Sequence, residues 1–246
     1  MKTGVYCADI TNVQRFTTGV ETLAGRGAEE ASWLLIEGDP GLGKTRALQW
    51  YSVQQNAVLI RAKAGWTIPW MLKDICEGLD LQAAHSSTKM FDQIINEVVM
   101  KNPILIIDEI DHAARKIKTL ETLRDLTDMS QLTLIVAGMK GIRQKLKAHK
   151  QVYNRIADVV EFQAATIEDV RTLCNQLSEV EIADDLVVRI HAETGGIFRE
   201  ILNSIARVEQ ASRRNRGSTI TAKMVEAIPL TNDGLARKIG KGRRAA

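Results

Sequence analysis

Three cysteines in 246 residues are too few to organise a fold. Cys7, Cys76 and Cys174 are odd in number, far apart and without a C-x-x-C pair, so neither a disulfide framework nor a zinc knuckle is supported. Reduced, buried thiols in a cytoplasmic protein are expected instead. The four histidines, His85, His112, His149 and His191, lack metal-ligand spacing as well. No apolar run approaches the roughly twenty residues needed to cross a bilayer, so no membrane partner is expected. Residues 1–9 contain no apolar h-region, so no secretory signal is expected either. Internal repeats are missing, and nothing local favours a Ser-His-Asp or Cys-His nucleophile.

What is present is ordinary in bulk and uneven in detail. An apolar fraction of 45% and a charged fraction of 26% suit a soluble globular chain long enough for one α/β core and a smaller attached unit. The net charge is +3, but from Arg207 onward ten cations face three acids. That stretch is therefore +7 and the rest −4. A basic end on a mildly acidic body suggests a polyanion partner, most simply nucleic acid; a solvated tail kept for solubility is the other reading.

The most informative stretch is Gly38-Asp39-Pro40-Gly41-Leu42-Gly43-Lys44-Thr45, the P-loop pattern G-x-x-x-x-G-K-[ST]. It follows the apolar run Trp33–Ile36 and precedes a helical pattern from Arg46. The glycines Gly38, Gly41 and Gly43 are free to take positive φ and let backbone N–H groups close around a phosphate. A helix beginning near Lys44 adds the positive end of its dipole. Lys44 is expected to reach the β- and γ-phosphates, and the Thr45 hydroxyl to ligate Mg²⁺.

Periodicity predicts a helix over 11–24, capped by Thr11 or Asn12, with Val13, Phe16, Val20 and Leu23 on one face. Strands are expected at 32–37, 57–62, 103–109, 132–138 and 157–162. Helices are expected at 67–78, 87–101, 116–128 and, as a basic helix, 141–150. The 87–101 helix carries Met90, Phe91, Ile94, Ile95, Val98 and Val99 as its apolar stripe. After Gln163 only helices fit: 166–177, 183–193, 198–211 and 221–227. Strands alternating with helices argue a parallel sheet, and the trailing helices an appendage.

Ile104–Ile107 followed by Asp108 and Glu109 has the form of a Walker B strand. Asp108 at the carboxyl end of its strand is expected to hold Mg²⁺, and Glu109 to deprotonate the attacking water. Met139 closes the fourth strand where a polar residue would touch a γ-phosphate, so Lys140 or a neighbour substitutes or hydrolysis is slow. Arg155 is a candidate arginine finger or a surface arginine. Arg199, after Gly195-Gly196, is a candidate reporter of the γ-phosphate or a helix-surface arginine. Trp66 and Trp70 flank a loop and suit either base stacking or packing.

Gly38–Thr45, Ile104–Glu109, Arg155 and Gly195–Arg199 come in the order of an AAA+ ATPase. The closer resemblance is to the transposition ATPases, phage Mu protein B and the TnsC-like proteins. It rests on Asp108-Glu109-Ile110-Asp111-His112, on Gln151–Ile156 and on the spacing between landmarks, and it covers roughly residues 10–228. The resemblance implies an α/β AAA+ P-loop NTPase fold, a five-stranded parallel sheet followed by a small helical lid. The implied domains are 1–163 for the nucleotide-binding domain (1–10 irregular), 164–228 for the lid and 229–246 for a basic, disordered tail.

It also implies ATP and Mg²⁺ as cofactors, with Gly38 through Arg46 around the nucleotide, Thr45 and Asp108 on the metal, and Lys44, Glu109, Arg155 and Arg199 in catalysis. It implies assembly as a helical filament on double-stranded DNA in the cytoplasm of a bacterial host, selecting target DNA and activating a DDE-type transposase. The DNA contacts map to Lys63, Trp66, Thr67, Ser86 and Lys89; the lysines read equally as solvated surface residues. Two other classes share the motifs: a helicase-loader-like or replication-initiator ATPase, and a nucleotide-gated adaptor with little hydrolysis.

Overall fold

The computed structural model describes residue 2, residues 6–212 and residues 219–231. The chain divides into two units. One comprises Arg15–Pro40 and Lys44–Phe162, and the other Met1–Gln14, Gly41–Gly43 and Gln163–Ala246.

The sheet unit alternates strands and helices. Helix α1 (Thr11–Ala24) leads into β1 (Trp33–Gly38), α2 (Lys44–Gln55) and β2 (Val58–Arg61). Next come α3 (Ile68–Gly78), α4 (Ser87–Lys101) and β3 (Ile104–Asp108). A 3₁₀ turn over Ile110–Arg115 precedes α5 (Ile117–Ser130) and β4 (Thr133–Met139). Two short helices, α6 (Ile142–Lys147) and α7 (Lys150–Tyr153), end at β5 (Ile156–Glu161). The five strands order as β2-β3-β4-β1-β5, and every neighbouring pair is parallel.

Burial explains which runs became central strands. All six residues of β1 are buried, as are the last four of β3 and the five middle ones of β4. A strand covered on both faces needs an unbroken apolar run, and these three have one. The mixed strands β2 and β5 take the edges. Each Leu or Ile fully buried in β1 contributes about 1.5–3 kcal/mol. The one indole in that strand is also satisfied, since Trp33 Nε1 donates to Thr127 Oγ1 at 3.0 Å. Helix α1 lies hard against the sheet at Gly19, where a β-carbon would collide with the Val160 side chain and press on Leu34.

The second unit holds α8 (Ile167–Leu177), α9 (Asp184–Thr194), α10 (Phe198–Ala211) and a 3₁₀ turn at Lys223–Val225. Helix α10 buries Phe198, Ile201, Ser204, Ile205 and Val208, a stripe at helical spacing. Residues near the amino terminus join this unit through polar contacts. The Thr11 N–H and hydroxyl both donate to Asp169 Oδ1, at 2.7 and 2.9 Å. Asn12 exchanges two hydrogen bonds with the Gln163 backbone, at 2.8 and 3.0 Å.

Several local expectations need correction. Thr11 donates to a carboxylate instead of capping α1. The 166–177 helix, by contrast, stands as α8, where Thr166 and Asp169 form a capping box, Asp serving where Glu or Gln is usual. Val99 is 66% exposed and lies off the stripe of Met90, Ile94 and Val98. The basic helix breaks in two around His149, whose φ of −116° and ψ of 75° lie outside the helical region. The last expected helix is only the short Lys223–Val225 turn. The basic tail falls almost wholly on 232–246, outside the described residues.

Candidate nucleotide-binding site

The site starts from the parallel sheet, whose strand ends converge on one edge. The loop after β1 and the acids at the end of β3 come from strands separated only by β4. Ligands of open α/β sheets bind at such carboxyl ends. Gly41 and Gly43 have φ of 86° and 94°, the left-handed region that favours glycine. Gly38 is needed for another reason. It belongs to β1, has no positive φ, and a β-carbon there would sit 2.7 Å from the Phe162 carbonyl oxygen.

Lys44 opens α2 and turns back to the loop. Its Nζ donates to the carbonyl oxygens of Gly38 at 2.6 Å and Asp39 at 3.0 Å. Burial pushes the Lys44 ammonium below its ordinary value, opposed by Asp108, Asp111 and Asp39. Thr45 Oγ1 donates to Asp108 Oδ2 at 2.6 Å. A hydroxyl and a carboxylate side by side are the hard oxygen donors that Mg²⁺ takes, so the residues present fit that ion. Leu42 is buried, whereas Asp39, Pro40 and Arg46 are exposed.

Glu109 follows Asp108 in a left-handed conformation, φ 58° and ψ 40°. Asp108 Oδ1 accepts its N–H at 2.9 Å. The Glu109 carboxylate is engaged by Arg61 of β2, and His112 Nε2 lies 3.6 Å from its other oxygen. The hydrogen bond from Arg61 holds the Glu109 carboxyl below the usual carboxylate range. Sequence reading missed Arg61. Its signal was the one cation in the second expected strand, but pairing it with the Walker B end needs the register Arg61↔Asp108.

Met139 is 52% exposed at the end of β4. Its backbone N–H donates to Asp111 Oδ2 at 2.6 Å, and Lys145 Nζ lies 3.2 Å from Asp111 Oδ1. Arg155 spends both ends of its fork on Asp128 of the same chain, Nε at 2.6 Å and Nη2 at 2.8 Å. Arg199 is exposed in the second unit, and its backbone N–H donates to the Gly41 carbonyl of that unit at 3.0 Å.

The DNA candidates separate. Trp66 is fully buried, and its Nε1 donates to Asp74 Oδ2 at 2.7 Å. A ring held in the core this way matches the packing reading of Trp66 and not the stacking one; the exposed indole is Trp70, at 41%. Lys63 also gives its ammonium to Asp74, at 2.9 Å to each oxygen. Lys63 and Thr67 line a groove of about 820 Å³ with Trp70, Lys73 and His85. Thr67 and Ser86 serve as N-caps of α3 and α4, and Lys89 is exposed.

Comparison with known proteins agrees with this geometry. Residues 27–146 match the model of the AAA domain family. The fold is the α/β fold of AAA+ P-loop NTPases, with a five-stranded parallel sheet. Cdc6p from Pyrobaculum aerophilum superposes with a TM-score of 0.66 at 14% identity, over 91% of this chain and 68% of that one. The Aeropyrum pernix ORC1 protein, solved in complex with DNA, gives 0.57 at 18%, over 88% and 63%. The Thermotoga maritima RuvB Holliday junction branch migration motor gives 0.61 at 16%, over 91% and 70%. No curated protein matches the sequence. No helix among the described residues is long and apolar enough to cross a membrane.

Proposed function

We propose that this chain binds and hydrolyses ATP with Mg²⁺. The observation that carries the reading is the cluster of Lys44, Thr45, Asp108 and Glu109 at the ends of β1 and β3. Gly38 through Arg46 surround the phosphates, and Lys44 trades its two carbonyl partners for them. Thr45 and Asp108 hold the metal, which neutralises phosphate charge when bound. Glu109 accepts the proton of the attacking water once it leaves Arg61. Arg199 acts on the γ-phosphate, and Arg155 acts on a neighbouring subunit's nucleotide after giving up Asp128.

The finer reading is a non-sequence-specific DNA-binding protein. It assembles as a helical filament on duplex DNA in a bacterial cytoplasm, selects target DNA and activates a DDE-type transposase. It is supported by the pattern from Asp108 to His112 and by the segment around Arg155. Lys63, Thr67, Ser86 and Lys89 supply the DNA contacts, through phosphate and without sequence reading. A second reading, a helicase-loader-like or replication-initiator ATPase, is favoured by fold likeness to Cdc6p and to ORC1 solved with DNA.

Electron microscopy of the protein with random duplex DNA, with and without Mg-ATP, tests the choice. Filaments that need both ligands support the transposition reading. Failure to bind DNA with ATP at low salt overturns it, and closed rings indifferent to DNA favour the second.

A further inference from the structure

The residue that would act as base has an unusual backbone. Left-handed geometry costs a non-glycine residue about 1–2 kcal/mol, so something must hold Glu109 there. Its N–H is taken by Asp108 Oδ1, and its carbonyl accepts the His112 N–H at 3.0 Å. The latter bond closes the 3₁₀ turn and brings the His112 ring back over Glu109. Asp111, next in the turn, ties it to β4 through the Met139 N–H and to α6 through Lys145. The fit leaves no slack, because a β-carbon on Gly138 would sit 2.8 Å from Asp111 Oδ2. Backbone and turn are thus fixed, whereas the Glu109 carboxylate depends on its side-chain partners.

Those partners differ in kind. Arg61 approaches from β2 on a long side chain that is 66% exposed. His112 stands on the fixed turn, and its Nδ1 is buried with no hydrogen-bond partner among the described residues. A neutral imidazole carries one N–H. Placing it on Nδ1 would bury an unsatisfied donor, at a cost of about 1–3 kcal/mol. A proton on Nε2 instead puts a donor, and not a lone pair, in front of the carboxylate. The proton therefore belongs on Nε2, which faces Glu109 Oε2 at 3.6 Å. That gap is too long for a hydrogen bond, and a side-chain torsion of Glu109 away from Arg61 closes it.

We propose that His112 is a positioning residue for Glu109. Its Nε2–H orients the carboxylate toward the attacking water once Arg61 lets go. A neutral donor steers the carboxylate while leaving it more basic than the guanidinium does. The inference rests on the ATPase reading above.

The test is steady-state ATP hydrolysis by the full chain and by E109Q, H112A, H112N and H112Q, with thermal melting as a folding control. A glutamine amide can reach the place of Nε2, whereas an asparagine amide reaches that of Nδ1. H112A and H112N are expected to lower kcat by about tenfold to a hundredfold with KM for ATP unchanged. H112Q is expected to recover most of that loss. Wild-type kcat in H112A, or equal loss in all three folded His112 variants, overturns the proposal while an inactive E109Q leaves the ATPase reading standing. An E109Q variant as active as wild type, or an inactive wild type, overturns that reading and this one with it.

Discussion

Arg61 and Glu109 form an ion pair across the parallel strands β2 and β3, one residue beyond the register pair Arg61↔Asp108. The pair engages the carboxylate proposed to deprotonate water. R61A should therefore raise basal ATP turnover by roughly threefold or more, with KM unchanged. A phosphate-release assay without DNA reads this, and unchanged turnover would show that the pair restrains nothing.

Arg155 poses the opposite problem, since Asp128 already occupies its fork. The pair is partly exposed, so its loss should cost about 1 kcal/mol or less, a shift of a few degrees in Tm. If the guanidinium acts across a subunit boundary, R155A lowers DNA-stimulated turnover by about a thousandfold. A matching loss in D128A would instead assign the pair a structural role.

The Thr45–Asp108 contact predicts a metal-specific defect. In T45A and D108N, Mg²⁺ should no longer strengthen binding of a fluorescent ATP analogue, while affinity in EDTA changes little. Equal weakening in both conditions would place these residues on the nucleotide and not on the ion.

Trp66 and Asp74 make a buried hydrogen bond that W66F removes. The expected cost is about 1–3 kcal/mol of unfolding free energy, with DNA affinity at low salt unaltered. Denaturant titration and a DNA-binding isotherm together decide it. Reduced DNA affinity at unchanged stability would restore Trp66 as a contact.

Burial pushes the Cys174 thiol up to about 12, above its ordinary value of 9.0. The folded state therefore favours the neutral thiol. Its stabilising contribution is complete below about pH 9 and is lost as pH climbs toward 12. Native protein at pH 8 should resist iodoacetamide at this position, and urea-unfolded protein should not. Mass spectrometry after alkylation reads both, and rapid native labelling would contradict the burial.

How much of this was legible beforehand follows from range. Strands β1, β3 and β4 were readable because burial on both faces leaves an unbroken apolar run. Helix α4 was readable from Ser87 to Lys101 because its apolar stripe is a local signal. The P-loop and Asp108-Glu109 are likewise contiguous. The rest depends on distant partners. Trp66 looked available for stacking because Asp74 lies eight residues on, across a turn. Arg61 gained meaning only from strand register, and Arg155 only from Asp128 on another element. The Ile110–Arg115 turn is too short to show a period, yet it sets where Glu109, Asp111 and His112 stand.

The close seat of α1 on the sheet has a consequence for reading variation. Even alanine at position 19 would push the helix off Val160 and Leu34, so a mutational scan should find that site as intolerant as Lys44. Intolerance there would report steric closeness alone. Ranking positions by tolerance would place a helix contact among the proposed nucleotide ligands.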